Sequence, residues 1–331
     1  MRTPVFPLVA LLLVTASACA PLTFTVGVSP AKQKLDTTIV ETETRRGGDR
    51  VAIIDISGLI LNANRPTLLG EGENPVSLLH EKLEEAKTDR RVKAVILRLN
   101  TPGGGVTASD AMYREIERFK RETGKPVVAL MMDVAASGGY YIACAADEIV
   151  AYPSTVTGSI GVIAQTLSIK PVLDRWGIQA VSITSGENKA AGSPLSVLTD
   201  EQRLVFQRMV DDFYNGFLDR VRHARPNIPP DKFAMVTDGR VVTGGDALAL
   251  GLVDHTGDLY VAHQRAKERA GIRKANLVLY HRPQRYVGSP YATHPGGVPA
   301  TGAVTQINLA QINLPDTFPG STMGFYYLWL P

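Results

Sequence analysis

Cysteine is almost missing from this chain: 331 residues contain two, Cys19 and Cys144. With so few, a disulfide framework is excluded. Cys144 stands among alanines and reads as a small buried core residue, not a reactive thiol. Charge of one sign is not in excess either. Lys and Arg number 35 against 32 Asp and Glu, a formal net charge of +3, and the basic residues are scattered among acids with no aromatic-interleaved run. Nucleic acid is therefore not an expected partner. No Gly-Lys-Ser/Thr accompanies the glycine-rich stretch at 103–105, which excludes a phosphate-binding P-loop. What is present is 44% hydrophobic residues over a length that can bury a full core, as one large domain or two small ones.

The opening MRTPVFPLVALLLVTASACA has one early arginine, an apolar run too short to span a bilayer comfortably, and small residues before Cys19. This pattern is an export signal. Ala16-Ser17-Ala18 fits an A-x-A cleavage site, whereas Ala-Ser-Ala-Cys is similar to a bacterial lipobox with Cys19 as the lipidated first mature residue. The lipoprotein reading is preferred, although Ala16 stands where a lipobox usually has leucine, and an uncleaved signal anchor is the third option. In each case the body of the protein lies outside the cytoplasm, and lipidation at Cys19 makes it membrane-associated at the cell envelope.

The most informative stretch is PVVALMMDVAASGGYYIACAA at 126–146. Val127–Met131 reads as a buried strand, Gly138–Gly139 allow a sharp turn, and Tyr140–Ala146 begins a small-residue helix. Ser137 stands at that corner, where unpaired backbone N–H groups can hold developing negative charge. A second corner precedes it: the apolar strand 91–100 runs into Thr101-Pro102-Gly103-Gly104-Gly105 and then a helical pattern over 108–120. Strand, loop, helix, strand, turn, helix is the order of βαβ units. Their right-handed crossovers bring both loops to the carboxyl ends of parallel strands, so the glycine loop faces Ser137.

The organisation reads as an export signal at 1–19, a polar tether at 20–48, a folded domain at 49–281 and a Pro/Gly-rich tail at 282–331. The tail ends in an aromatic cluster, 325–329, read as an anchor or a patch. Thr199 with Gln202 three residues on has capping-box spacing for a helix reaching Arg225.

A serine hydroxyl needs a base, ordinarily a histidine. The six histidines are poorly placed, on charged helical faces or near the tail. His255, beside Asp254, is the one worth weighing, and adjacent strand residues point to opposite faces. A lysine serves if burial lowers its pKa. Lys189, in the small-residue loop SGENKAAGSP, is the best candidate, yet loop lysines are usually solvated and composition leaves the base open.

The stretches NTPGGGV (100–106), AASGGYYIACAADEIVA (135–151), TGSIGV (157–162), SGENKAAGSP (185–194) and GLVD (251–254) resemble, in order and spacing over about residues 50–275, the bacterial signal peptide peptidase A family. The resemblance implies an α/β protein of the Clp protease/crotonase-like fold, with repeated ββα/βαβ units and helices on the faces of a parallel sheet. It implies a serine endopeptidase in which Ser137 is the nucleophile, Lys189 the general base and Ser159 the hydroxyl that orients the lysine. Amides of Gly104 and Gly138, with Gly103 as second choice, match the oxyanion hole. No metal or organic cofactor is implied. Substrates are released signal peptides or other extended apolar peptides. The short form of the family resembles a ring of eight in which the lysine reaches a neighbour's serine, so a homo-oligomer with shared sites is implied. Here the lipobox-like start departs from the transmembrane anchor common in the family, and the tail has no counterpart.

Two other classes compete. A crotonase-like acyl-CoA enzyme would use the same loops for a thioester enolate, but export argues against it. A noncatalytic envelope scaffold would keep the fold, but Ser137 and Lys189 are intact. Residues 103–108 also fit G-x-G-x-x-A formally, a weak match without an acidic residue at the next strand end.

Overall fold

The structure is a computed structural model that describes residues 34–45, 47–64, 66–67, 70–283, 287–292 and 324–329. The export signal with Cys19 and most of the tail lie outside these residues. In chain order the elements are β1 (Asp36–Glu41), β2 (Arg50–Ser57), β3 (Pro66–Thr67), β4 (Gly70–Glu71), α1 (Pro75–Thr88), β5 (Val92–Thr101), β6 (Gly103–Gly105), α2 (Val106–Thr123), β7 (Val127–Ala136), α3 (Gly138–Ala143), β8 (Glu148–Ala151), β9 (Val156–Gly158), β10 (Ile163–Gln165), α4 (Lys170–Arg175), α5 (Asp200–Ala224), α6 (Pro230–Val236), β11 (Val241–Thr243), α7 (Gly244–Ala249), β12 (His255–Thr256), α8 (Leu259–Arg269), β13 (Asn276–His281) and β14 (Gly324–Leu328).

Continuous apolar runs mark strands covered on both faces. The main sheet runs β1-β13-β2-β5-β7-β8-β12, with β9 on β7 and β11 on β9. From β13 to β12 every pairing is parallel. Alternate residues serve two cores. Ala52, Ile54, Leu97 and Ala129 pack on one face with α1, α2, α3 and α5, while Val51, Ile53, Ile96 and Val128 pack on the other with α8. The expected α/β class, a parallel sheet with helices on its faces, is therefore what the chain adopts. Local signals agree with it: Asn74 caps α1, and the Thr199–Gln202 capping box opens α5.

Two parts of the expected organisation differ. The stretch read as a polar tether contains β1, an antiparallel edge strand on β13. Its sequence DTTIVE is polar because an edge strand keeps one face in water, and threonine and valine suit it to a sheet. The tail contains β14, and its start is also fixed. Arg98, buried within β5, pairs with Asp55 and donates to the carbonyls of Pro290 at 2.6 Å and Ala292 at 2.7 Å. Burying a guanidinium is costly unless its donors find acceptors, and backbone carbonyls of the tail take two of them.

Candidate active site

β7 ends at Ala136, and the chain turns at Ser137 with φ 54° and ψ −113° before α3 begins. Among the described residues the non-glycine positions with positive φ are Ser137 and Ser159. Such backbone costs roughly 1–3 kcal/mol per residue and persists where the surroundings over-determine it. Here the Ser137 N–H donates to the Gly158 carbonyl at 2.8 Å, and the Tyr141 N–H donates to the Ser137 carbonyl at 2.9 Å. Parallel pairing sets Ala136 opposite Gly158, so Ser159 follows beside Ser137 at the same sheet end. Ser159 in turn donates its N–H to the Arg240 carbonyl at 2.7 Å. Below both serines, Thr157 Oγ1 donates to the Ala135 carbonyl at 2.7 Å.

The glycine loop packs against this corner. A Cβ on Gly103 would lie 2.7 Å from the Gly138 nitrogen, a Cβ on Gly138 2.5 Å from Ser109 Oγ, and a Cβ on Gly139 2.8 Å from Thr101 Cγ2. The two loops approach closely because neither carries a side chain at the contact. Within β6 the amides alternate. Gly103 N–H donates to Thr101 Oγ1 at 3.0 Å and Gly105 N–H to the Ile60 carbonyl at 2.9 Å. Gly104 faces the other way, toward β14. Gly103 is therefore committed as a donor within its own loop, and Gly104 is paired with Tyr327 of β14.

Thr101 and Ile60 escaped sequence reasoning. Thr101 Oγ1 donates to the Gly58 carbonyl at 2.6 Å while holding Gly103, and Ile60 brackets Gly103–Gly105 from the far side. The TPGGG string contained the first signal, because a threonine two residues before a glycine can close such a turn.

Lys189 lies exposed on the turn that begins at Gly186, and its ammonium forms no ion pair or hydrogen bond among the described residues. Ser137, in contrast, is buried. His255 is committed elsewhere: it sits 3.5 Å from Glu148, a carboxylate that Arg265 and Arg269 also grip. Its register partner on β8 is Val150, which lies opposite Leu130, so Ser137 is about 20 Å farther along the strand direction. Cys144 is inert, as expected, since burial pushes its thiol up to about 12. The GLVD stretch is structural: Asp254 accepts from the Ile149 N–H and from Arg225, and the Leu252 carbonyl accepts from Tyr140 Oη.

A strained serine at a strand–helix corner, packed against a glycine loop at the carboxyl ends of parallel strands, fits a serine hydrolase on an α/β scaffold. The family model for peptidase family S49 matches residues 119–273, which include Ser137, Ser159 and Lys189. The chain is 38% identical over 241 residues to the chloroplastic serine protease SPPA of Arabidopsis thaliana, covering 72% of this chain and 35% of that protein. Protease 4 of Salmonella typhi is 34% identical over 233 residues, which are 70% of this chain and 37% of that protein. A protein of Enterococcus faecium named as a signal peptide peptidase SppA is 30% identical over 244 residues, 73% of this chain and 70% of its own length. The chain belongs to peptidase family S49, a family of serine peptidases. It spans little more than a third of the length of the Arabidopsis and Salmonella relatives.

Proposed function

We propose that the protein is an exported serine endopeptidase that cleaves released signal peptides and other extended apolar peptides at the cell envelope, with Ser137 as nucleophile and Lys189 of a neighbouring copy as general base. The observation that carries this reading is the Ser137 corner, where a strained, buried serine stands against the glycine loop, with Gly104 and Gly138 as the amides assigned to the oxyanion. Neutral Lys189 takes the Ser137 proton, the alkoxide attacks the peptide carbonyl, and the oxyanion accepts from those amides. Lys189 then protonates the leaving amine, and water hydrolyses the acyl-enzyme. Ser159, at the same sheet end as Ser137, orients the incoming lysine amine.

Sharing of the site between copies is supported by a second feature. Of the large apolar side chains exposed among the described residues, most lie between Ile163 and Met209, including Trp176, Val181 and Ile183. Lys189 is in the middle of this segment, and α4 within it has no buried residue. Contiguous exposure of this kind marks an association surface. Attachment to the membrane through Cys19 completes the proposal. No helix among the described residues is long and apolar enough to cross a membrane. Membership of the peptidase family weighs against the acyl-CoA alternative.

The test is cleavage of a leucine-rich signal-peptide substrate by the assembled protein lacking residues 1–19. Loss of cleavage in both Ser137→Ala and Lys189→Ala, with assembly intact, is the expected result. Full activity in Lys189→Ala overturns the base assignment.

A further inference from the structure

The serine corner is held in part from outside, by the turn that joins α6 to β11. Arg240 closes this turn, and its carbonyl accepts the Ser159 N–H at 2.7 Å. The same oxygen would lie 2.9 Å from a Cβ on Gly158, which has φ 86°. Gly158 and Ser159 are thus consecutive residues with positive φ, and the strained Ser159 backbone persists where its surroundings over-determine it. One carbonyl bears on both of them, while the Gly158 carbonyl accepts the Ser137 N–H at 2.8 Å. The position of Arg240 therefore sets the position of Ser159.

The turn is fastened at its two ends. On the exposed side, Asp238 Oδ1 accepts the Arg240 N–H at 3.0 Å, and the same carboxylate pairs with the Arg240 guanidinium. Gly239 between them has φ 92°, and a Cβ there would meet nothing within 4 Å. At the buried end stands Thr237, whose N–H and Oγ1 both donate to the Phe233 carbonyl, at 3.2 and 2.8 Å. The Thr237 carbonyl accepts from Tyr214 Oη. Tyr214 belongs to α5, and Phe217 and Val221, three and seven residues on, bury that face of the helix in the core. A hydroxyl carried by a core-packed helix is a fixed point from which the turn is hung.

We propose that Tyr214 is a positioning residue for peptide cleavage: through the Thr237–Arg240 turn it sets the Ser159 hydroxyl that orients the lysine amine. The proposal deepens the peptidase reading and rests on it. Because Tyr214 acts through Ser159 and not on the substrate, its loss falls on kcat and leaves KM alone. A tyrosine that only supports the fold would act independently of Ser159.

Two measurements on the assembled protein decide the matter. In Tyr214→Phe, which keeps the ring and removes the hydroxyl, kcat on an apolar peptide is expected to fall about tenfold with KM within about twofold of wild type. Asp238→Ala, which loosens the turn from its exposed side, is expected to give the same split. Wild-type kcat in both variants overturns the proposal. Adding Tyr214→Phe to Ser159→Ala should cost less than about a further twofold, because the hydroxyl being positioned is already gone. Losses that simply multiply, or a Ser159→Ala protein with wild-type kcat, also overturn it. The second measurement is hydrogen exchange. The Ser159 amide is expected to exchange about tenfold faster in Tyr214→Phe, roughly the worth of one hydrogen bond, with the amides of β5 unchanged. Equal exchange at Ser159 in the two proteins refutes the link whether or not either cleaves a peptide. If wild type cleaves no peptide at all, the peptidase reading fails, and exchange alone judges whether Tyr214 holds Ser159.

Discussion

Three adjacent glycines should respond differently to the same substitution, because each Cβ meets different surroundings. At Gly104 a Cβ would fall 2.0 Å from the Ile60 carbonyl oxygen and 2.7 Å from the Ile60 nitrogen. Those are backbone atoms held by their own bonds to Gly103 and Gly105, so β6 must move away from Ile60, and the Gly104 amide moves with it. Losing one oxyanion donor lowers kcat by roughly 10²–10³, about 3–4 kcal/mol of transition-state stabilisation. Gly104→Ala is therefore expected to lose that much in kcat, with KM much less affected. Gly105→Ala is the internal control. Its φ is −60°, and the nearest atoms to its Cβ are 3.9 Å away. Alanine fits there, and the modest loss at a helix cap is offset by a less flexible unfolded chain, leaving stability within about 1 kcal/mol of wild type. Gly103→Ala should fare worst, since it combines φ 104° with a Cβ 2.7 Å from the Gly138 nitrogen. Steady-state kinetics on an apolar peptide, with thermal unfolding of each variant, give the answer. Wild-type kcat in Gly104→Ala, or equal losses in Gly104→Ala and Gly105→Ala, would refute the assignment of the Gly104 amide.

Chains carrying Ser137→Ala and chains carrying Lys189→Ala should each be inactive and regain part of the activity when co-assembled; verified mixed assemblies without activity would count against a shared site. Acid should destabilise the fold in two overlapping windows. Burial holds His263 down to about 4, so the stability it confers is complete above its ordinary 6.5 and is lost as pH falls from there toward 4. Hydrogen bonds from Arg265 and then Arg269 hold Glu148 at about 2, against burial, so its contribution is complete above 4.5 and is lost as pH falls toward 2. Each window is worth up to about 3 kcal/mol. Unfolding temperature against pH should show both, and Glu148→Gln should flatten the lower one while leaving the upper.

Both corners were legible in the sequence, because each depends on local chain chemistry. An apolar run ending in Ser-Gly-Gly, or in Thr-Pro-Gly-Gly-Gly, can do little except turn where a strand stops. The order of those turns along βαβ units then places them at one sheet end. β1 and β14 were hidden for the opposite reason. A six-residue polar edge strand has no periodicity to distinguish it from a tether, and its partner β13 lies more than 230 residues later in the chain. β14 follows a long Pro- and Gly-rich stretch, and the aromatic string GFYYLWL is identical whether it meets a membrane, a partner or the glycine loop. Its pairing depends on what β6 leaves open, which is a property of the folded molecule.

The two halves of the proposed dyad belong to parts of the chain with different reasons to be ordered. Ser137 is held by buried strands and by hydrogen bonds to Gly158 and Tyr141. Lys189 belongs to a segment whose apolar side chains find little cover within one chain: Trp176 is 71% exposed and Ile183 97%. Apolar surface of that kind is stabilised by association, which removes it from water at about 25 cal/mol per Å². In the proposed assembly the contact that covers the segment also delivers the lysine. Activity should then fall with assembly and not with folding. Trp176→Asp is the discriminating variant, because a side chain so exposed contributes little to the single chain's stability. It is expected to leave the unfolding temperature of a dilute, dissociated sample unchanged while shifting sedimentation toward the monomer and abolishing peptide cleavage. A monomeric Trp176→Asp protein with full activity per chain would mean that Lys189 reaches the Ser137 of its own chain, and the shared site would have to be given up.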